Sequence, residues 1–209
     1  MVPKMCRCWL LLVLSAASTA AFSPTAPHAR PWMTPLRAAV SPKMLTGPEI
    51  IDTCVSIDTF APQFLWLAII AAPRSEITRS LMGSIGPIIA LSLVHITIVL
   101  LAASAPGGTE PILIFADVFD PSQNQLDGME RLFAVRDFVA EEWPHVLIWD
   151  LFVGRAIWLD SLERGTPFTW SSLLLCNGIG PPGLLLYVVL CLVSGRGLPT
   201  LGYDETKGA

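Results

Sequence analysis

Four stretches of this 209-residue chain are apolar and long enough to read as helices in lipid, separated by Pro/Gly breaks and clusters of charge. Residues 57–72 (IDTFAPQFLWLAIIAA) are the first, short for a span unless the helix begins near Glu49. Pro73-Arg74 ends it, because proline cannot continue a helix. Residues 85–104 (IGPIIALSLVHITIVLLAAS) are the second and clearest, stopped by Ala105-Pro106-Gly107-Gly108. The third covers 143–159, and the fourth covers 170–194 with an interruption from Gly178 to Gly183. The long polar connection between the second and third is rich in Asp and Glu. Within it Leu126, Met129, Leu132, Phe133, Val135, Phe138 and Val139 recur at helical spacing, which predicts an amphipathic helix at the membrane surface leading into the third segment. Pro144 suits the first turn of a new helix and would kink one that ran straight through, so the chain is expected to change direction near Trp143. The expected fold is an all-α membrane protein: residues 49–195 form a bundle of four transmembrane helices with the surface helix between the second and third, followed by a polar tail, 196–209.

Composition supports a membrane class. Hydrophobic residues make up 53% of the chain and charged residues 14%, against about 25% charged in an average soluble domain. The first 48 residues read separately. Lys4 and Arg7, the apolar run from Trp9 to Leu14 and the small residues Thr19-Ala20-Ala21 have the order of a signal peptide, 1–21. Residues 22–48 carry Arg30, Arg37 and Lys43, several Ser, Thr and Pro, and no Asp or Glu, the composition of a plastid transit peptide. The junction Ala20-Ala21-Phe22-Ser23-Pro24 resembles the bipartite presequence of algae whose plastids came from a eukaryotic endosymbiont. An ordinary secreted or endoplasmic-reticulum membrane protein with a proline-rich N-terminus has the same composition.

Without residues 1–48, eight Lys and Arg stand against seventeen Asp and Glu, a formal balance of −9. No basic stripe exists to meet phosphates, so no nucleic-acid partner is expected. Cys54, Cys176 and Cys191 are widely spaced and read as buried thiols. The chain has no phosphate loop, G-x-G-x-x-G, G-x-S-x-G or Cys-x-x-Cys-His, so nothing points to a nucleotide, flavin or haem cofactor. With four spans, Arg74, Arg79 and Arg164 share one side, the stromal one by the positive-inside rule. The acidic connection and both termini take the other.

The most unusual stretch is 141–160, EEWPHVLIWDLFVGRAIWLD, where ionisable groups interrupt an apolar segment. Such groups cost about 2.5 to 3.5 kcal/mol each at the centre of a bilayer, and they mark function by default. At 100° per residue Glu142, His145 and Trp149 share a face, whereas Asp150 stands about 140° from His145 and Arg155 about 140° from Asp150. The three therefore need partners from neighbouring helices, and this helix holds no metal site of its own, since helical ligands sit at i, i+3 or i, i+4. His95, alone in the second segment, could face His145 across the bundle. Its ordinary role is a hydrogen bond to backbone or hydroxyl.

Ala72-Pro73-Arg74-Ser75-Glu76-Ile77-Thr78-Arg79, Leu132-Phe133, Trp143, His145, Asp150-Leu151-Phe152-Val153-Gly154-Arg155, Trp158, Asp160 and Gly180-Pro181-Pro182-Gly183 together resemble the neoxanthin synthase family, the abscisic-acid-deficient-4 type of plastid membrane protein. The resemblance runs from about residue 49 to 195, and its most specific part is W-x-H-x(4)-D-L-F-x-x-R. Pro144 and Pro182 depart from the pattern and alter helix geometry near the site. The resemblance implies a four-span protein of the thylakoid or inner envelope that isomerises violaxanthin, or a related 5,6-epoxy-xanthophyll, to an allenic product such as neoxanthin. That reaction needs a general acid at the epoxide and a general base at C7, and no redox cofactor.

A carotenoid is about as long as the hydrocarbon core is thick, about 30 Å. Its end rings are expected near the interfaces, with Glu142, His145 and Asp160, while Asp150 lies deeper. On this reading His145 or Asp150 is the base, Arg155 acts at the epoxide through water, and Trp143, Trp149 and Trp158, with Asn177, Gly180, Pro181 and Gly183, line the substrate groove. Asp150 and Arg155 could instead fix helix register, Trp143 and Trp158 could be interfacial anchors, and the Gly180–Gly183 motif could only ease packing. A non-catalytic protein that binds pigment, or that associates with xanthophyll enzymes or antenna proteins, is the competing class.

Overall fold

The computed structural model describes residues 46–201, which are helices joined by short turns, with no strand among them. The signal peptide and most of the transit segment expected at 22–48 lie outside the described residues. Helix α1, Gly47–Ala71, starts earlier than its apolar run because Thr46 and Glu49 form a capping box, Glu49 Oε2 accepting from the Thr46 N–H at 2.9 Å. Its 25 residues span about 37 Å and pass through Pro62, which leaves the Asp58 carbonyl without its helical donor.

A short helix, α2 (Glu76–Met82), was not foreseen in the first connection. Ser75 caps it by accepting from the Thr78 N–H at 3.0 Å. Helix α3, Gly86–Ser104, matches the second segment. By length and composition α1 and α3 are able to cross a membrane.

The acidic connection holds two short helices, α4 (Glu110–Val118) and α5 (Gln125–Phe133). The single surface helix expected over 126–139 is broken, because Ala134 and Val135 form a turn and Arg136 opens helix α6, Arg136–Arg164. The direction therefore changes ten residues before Pro144, which sits buried inside α6. An Arg136–Asp52 ion pair to α1 and Asp137 in the first turn favour a helix start here. Pro144 removes one backbone donor, too little to end a 29-residue helix packed along its length.

The fourth segment does not run as one span. Helices α7 (Thr169–Ile179) and α8 (Pro181–Val193) meet at Gly180, whose φ of +63° and ψ of −108° reverse the chain. Ser172 Oγ donates to the Gly183 carbonyl at 2.6 Å and Thr166 meets Tyr187, so the two helices lie antiparallel. Eleven and thirteen residues reach only about 16 and 20 Å, short of a 30 Å core.

The register of the bundle follows from its cross-contacts. Asp52 meets Arg136, Thr59 meets Trp143, Trp66 packs on Gly154, and Pro73 meets Trp158, so α1 and α6 run parallel with α3 antiparallel to both. The hairpin enters beside the C-terminal end of α6 and descends to Asp150, whose carbonyl accepts from the Cys176 thiol at 3.7 Å. It then returns, so that Tyr187 Oη donates to Asp160 Oδ2 at 2.6 Å and Arg164 reaches the Arg196 carbonyl at 3.0 Å. Arg196 and Thr200, after α8, thus lie beside Arg164, at the end of the bundle opposite the start of α1. The fourth segment therefore does not cross as one helix among the described residues, and both termini of the even-span expectation lie outside them. The core between these helices is built on Trp66, Ile69, Met82, Leu151, Ile157, Trp158, Leu173 and Tyr187.

Candidate functional site

The ionisable residues singled out in the charged segment lead to two places, on different faces of α6. The first is a groove of about 260 Å³ between α3 and α6, lined by Ile85, Ile88, Ser92, His95, His145, Ile148, Trp149 and Phe152. Apart from Ser92 and the two histidines its walls are hydrocarbon and aromatic, and its side is open. His95 and His145 close its inner end, their rings stacked with centroids 6.3 Å apart and planes at 17°. His95 Nε2 lies 3.0 Å from the Glu141 carbonyl, and His145 Nδ1 lies 3.3 Å from Glu142 Oε2. Trp149 packs edge-on against both His145 and Phe152 and is 56% exposed, so it forms the outer wall.

His95 is the middle residue of α3 and stands against Glu141 and His145, so the histidine pair lies level with the middle of α3. The groove rises from there toward Ile85, at the end that carries Arg155.

The second place is the tip of the hairpin. Asp150 is half-buried and its carboxylate contacts Gly180, where an added Cβ would lie 2.7 Å from Oδ1. Beside it Asn177 Nδ2 donates to Gln63 Oε1 at 3.3 Å, while Asn177 Oδ1 is buried without a partner. Asp150, Asn177 and Gly180 are therefore brought together, whereas His145, expected beside Asp150 as an alternative base, lines the groove on the other face of α6. Pro181 opens α8 at a position where its missing N–H costs nothing. Gly183 lets α8 touch the backbone of Cys176.

Arg155 stands in neither place. Its Nε donates to the Met82 carbonyl at 2.8 Å and its Nη2 to the Gly83 carbonyl at 2.6 Å, satisfying the C-terminal carbonyls of α2. Trp158 is 1% exposed, with its indole N–H on the Pro73 carbonyl at 3.0 Å, so it is core rather than groove wall. Trp143 is on the outside, donating to Thr59 Oγ1 at 3.1 Å.

Asp58 is the ionisable residue that the sequence reading passed over. It is wholly buried in α1, at the depth of the histidine pair, and neither carboxyl oxygen has a hydrogen-bond partner. The signal was available: an acid in an apolar helix, four residues before a proline that frees its own carbonyl. An unpartnered buried polar group costs about 1–3 kcal/mol, and Leu has nearly the same volume. Asp58→Leu is therefore expected to raise the stability of the detergent-solubilised protein by about that amount, read as a shift of the denaturant midpoint at unchanged slope.

A model of the ABA DEFICIENT 4-like family matches residues 54–187, which take in the groove, Asp58 and the tip of the hairpin. Over 152 residues the chain is 28% identical to the protein named ABA DEFICIENT 4, chloroplastic, of Arabidopsis thaliana, an alignment covering 73% of this chain. The chain spans 66% of that relative's length, a little under two thirds. No solved structure matches.

Proposed function

Because the chain belongs to the ABA DEFICIENT 4-like family, we propose that it works in a plastid membrane as a carotenoid epoxide isomerase, converting violaxanthin or a related 5,6-epoxy-xanthophyll to an allenic xanthophyll such as neoxanthin. The observation that carries this reading is the groove between α3 and α6: apolar, open at its side, and ending in two imidazoles. An end ring enters sideways from the lipid, and the polyene leaves along the outer faces of the helices. In the membrane α1, α3 and α6 are the spans, and the α7–α8 hairpin is re-entrant.

The reaction moves one proton. The C7–H bond breaks, its electron pair forms the C6=C7 bond, and the C6–O bond of the epoxide breaks toward oxygen. That oxygen takes a proton and stays on C5 as a hydroxyl, so nothing is oxidised or reduced. One acid and one base within reach of the ring are sufficient, each contributing about 10²–10⁴-fold. Water exclusion by Ile88, Ile148 and Phe152 keeps an opening epoxide from hydrolysing to a diol. His145 is the titratable group of the W-x-H-x(4)-D-L-F-x-x-R run that faces the groove. Asp150 serves the hairpin tip, and Arg155 holds α2 at the groove's upper end.

Expression of the chain in cells that accumulate violaxanthin and contain no neoxanthin tests this. Appearance of an allenic pigment of unchanged mass is the expected result. Violaxanthin that co-purifies with the protein in good yield while no isomer forms would transfer the case to a pigment-binding or assembly protein.

A further inference from the structure

The geometry points to His95 as a second catalytic group, the general base at C7, with His145 as the general acid at the epoxide oxygen. This rests on the isomerase reading of the groove and names the roles within it. A backbone carbonyl can only accept, so the contact between His95 Nε2 and the Glu141 carbonyl at 3.0 Å puts a proton on Nε2. In a neutral imidazole the other nitrogen, Nδ1, then holds a lone pair, and no donor among the described residues occupies it.

His145 is held differently. Its Nδ1 lies 3.3 Å from Glu142 Oε2, a carboxylate oxygen that can only accept a hydrogen bond from Nδ1–H and whose negative charge would offset that of an imidazolium formed there. The residue able to carry the extra proton into the reaction is therefore His145. The residue that starts with a free lone pair is His95. Glu141 and Glu142 are consecutive in α6, so one turn of that helix orients both rings and sets their stacking at 6.3 Å. Two imidazoles side by side suit a substrate whose leaving proton and proton-accepting oxygen are on neighbouring atoms. The proton released from C7 goes to His95 Nδ1, that taken by oxygen comes from His145, and exchange between the stacked rings or with solvent restores the starting state.

The test uses the full chain in lipid nanodiscs with violaxanthin, and separately with violaxanthin deuterated at C7. His95→Gln keeps an N–H for the Glu141 carbonyl and removes the lone pair. Turnover is expected to fall by about 10²–10⁴-fold with pigment binding retained, and the residual rate should show a larger isotope effect than wild type. His145→Gln should lose turnover comparably without that rise. Wild-type turnover by His95→Gln, or loss of binding in step with turnover, would overturn the assignment and leave the isomerase reading in place. Wild-type protein that binds violaxanthin but never isomerises it would remove that reading and the assignment with it.

Discussion

Gly183→Ala dismantles the hairpin. A Cβ at this position would occupy the space of the Cys176 backbone nitrogen and Cα on the facing helix, which cannot yield as a flexible side chain would. The same close approach brings the Gly183 carbonyl within 2.6 Å of Ser172 Oγ, a buried bond that separation would break. It also holds Tyr187 against Asp160, and parting the helices would leave that carboxylate buried with only Arg164. Overpacking a well-filled core costs about 1–3 kcal/mol, and an unmet buried polar group about as much again. The expected outcome is a loss of several kcal/mol, seen as failure to accumulate in the membrane or as protease sensitivity at the 165–168 turn. Gly178→Ala, at a position with open space around it, is the matched control and should behave as wild type.

Much of this architecture was readable in advance, and the parts that were not share a cause. The stop at Pro106-Gly107-Gly108, the break at Gly180 and the extension of α1 to its cap are local, written in residues adjacent to the feature they produce. Whether Gly178 to Gly183 kinks a span or reverses it is not local. The answer lies in Ser172 bonding Gly183 and in Thr166 meeting Tyr187, and a long apolar run looks the same in both cases. The expectation of a single fourth helix fell with that one choice.

The same division holds at the site. His95 and His145 were visible as histidines in apolar segments able to face each other, and their rings stack with centroids 6.3 Å apart. Arg155 drew attention for its charge, but its partners are the carbonyls of Met82 and Gly83, more than seventy positions away in sequence. Helical arithmetic on α6 separated His145 from Asp150 correctly. It could not say which neighbour each face would meet: α3 for the one, the hairpin tip for the other. Pro144 does not turn the chain, since one lost backbone bond is outvoted by the contacts of α6 with α1 on either side of it.

The groove between α3 and α6 is the claim on which the functional reading stands, and Ser92→Trp addresses it without touching either histidine. Ser92 lines the groove one turn from His95, and its side chain is small and makes only a local bond to the Ile88 carbonyl. An indole there occupies much of a cavity of about 260 Å³, leaving no room for a substituted ring. The measurement is violaxanthin binding to the protein in nanodiscs, followed by quenching of Trp149 and by pigment analysis after incubation, for wild type and Ser92→Trp at matched stability. The account predicts saturable binding and an allenic product for wild type, and neither for the variant. Binding and turnover by Ser92→Trp at the wild-type level would contradict it.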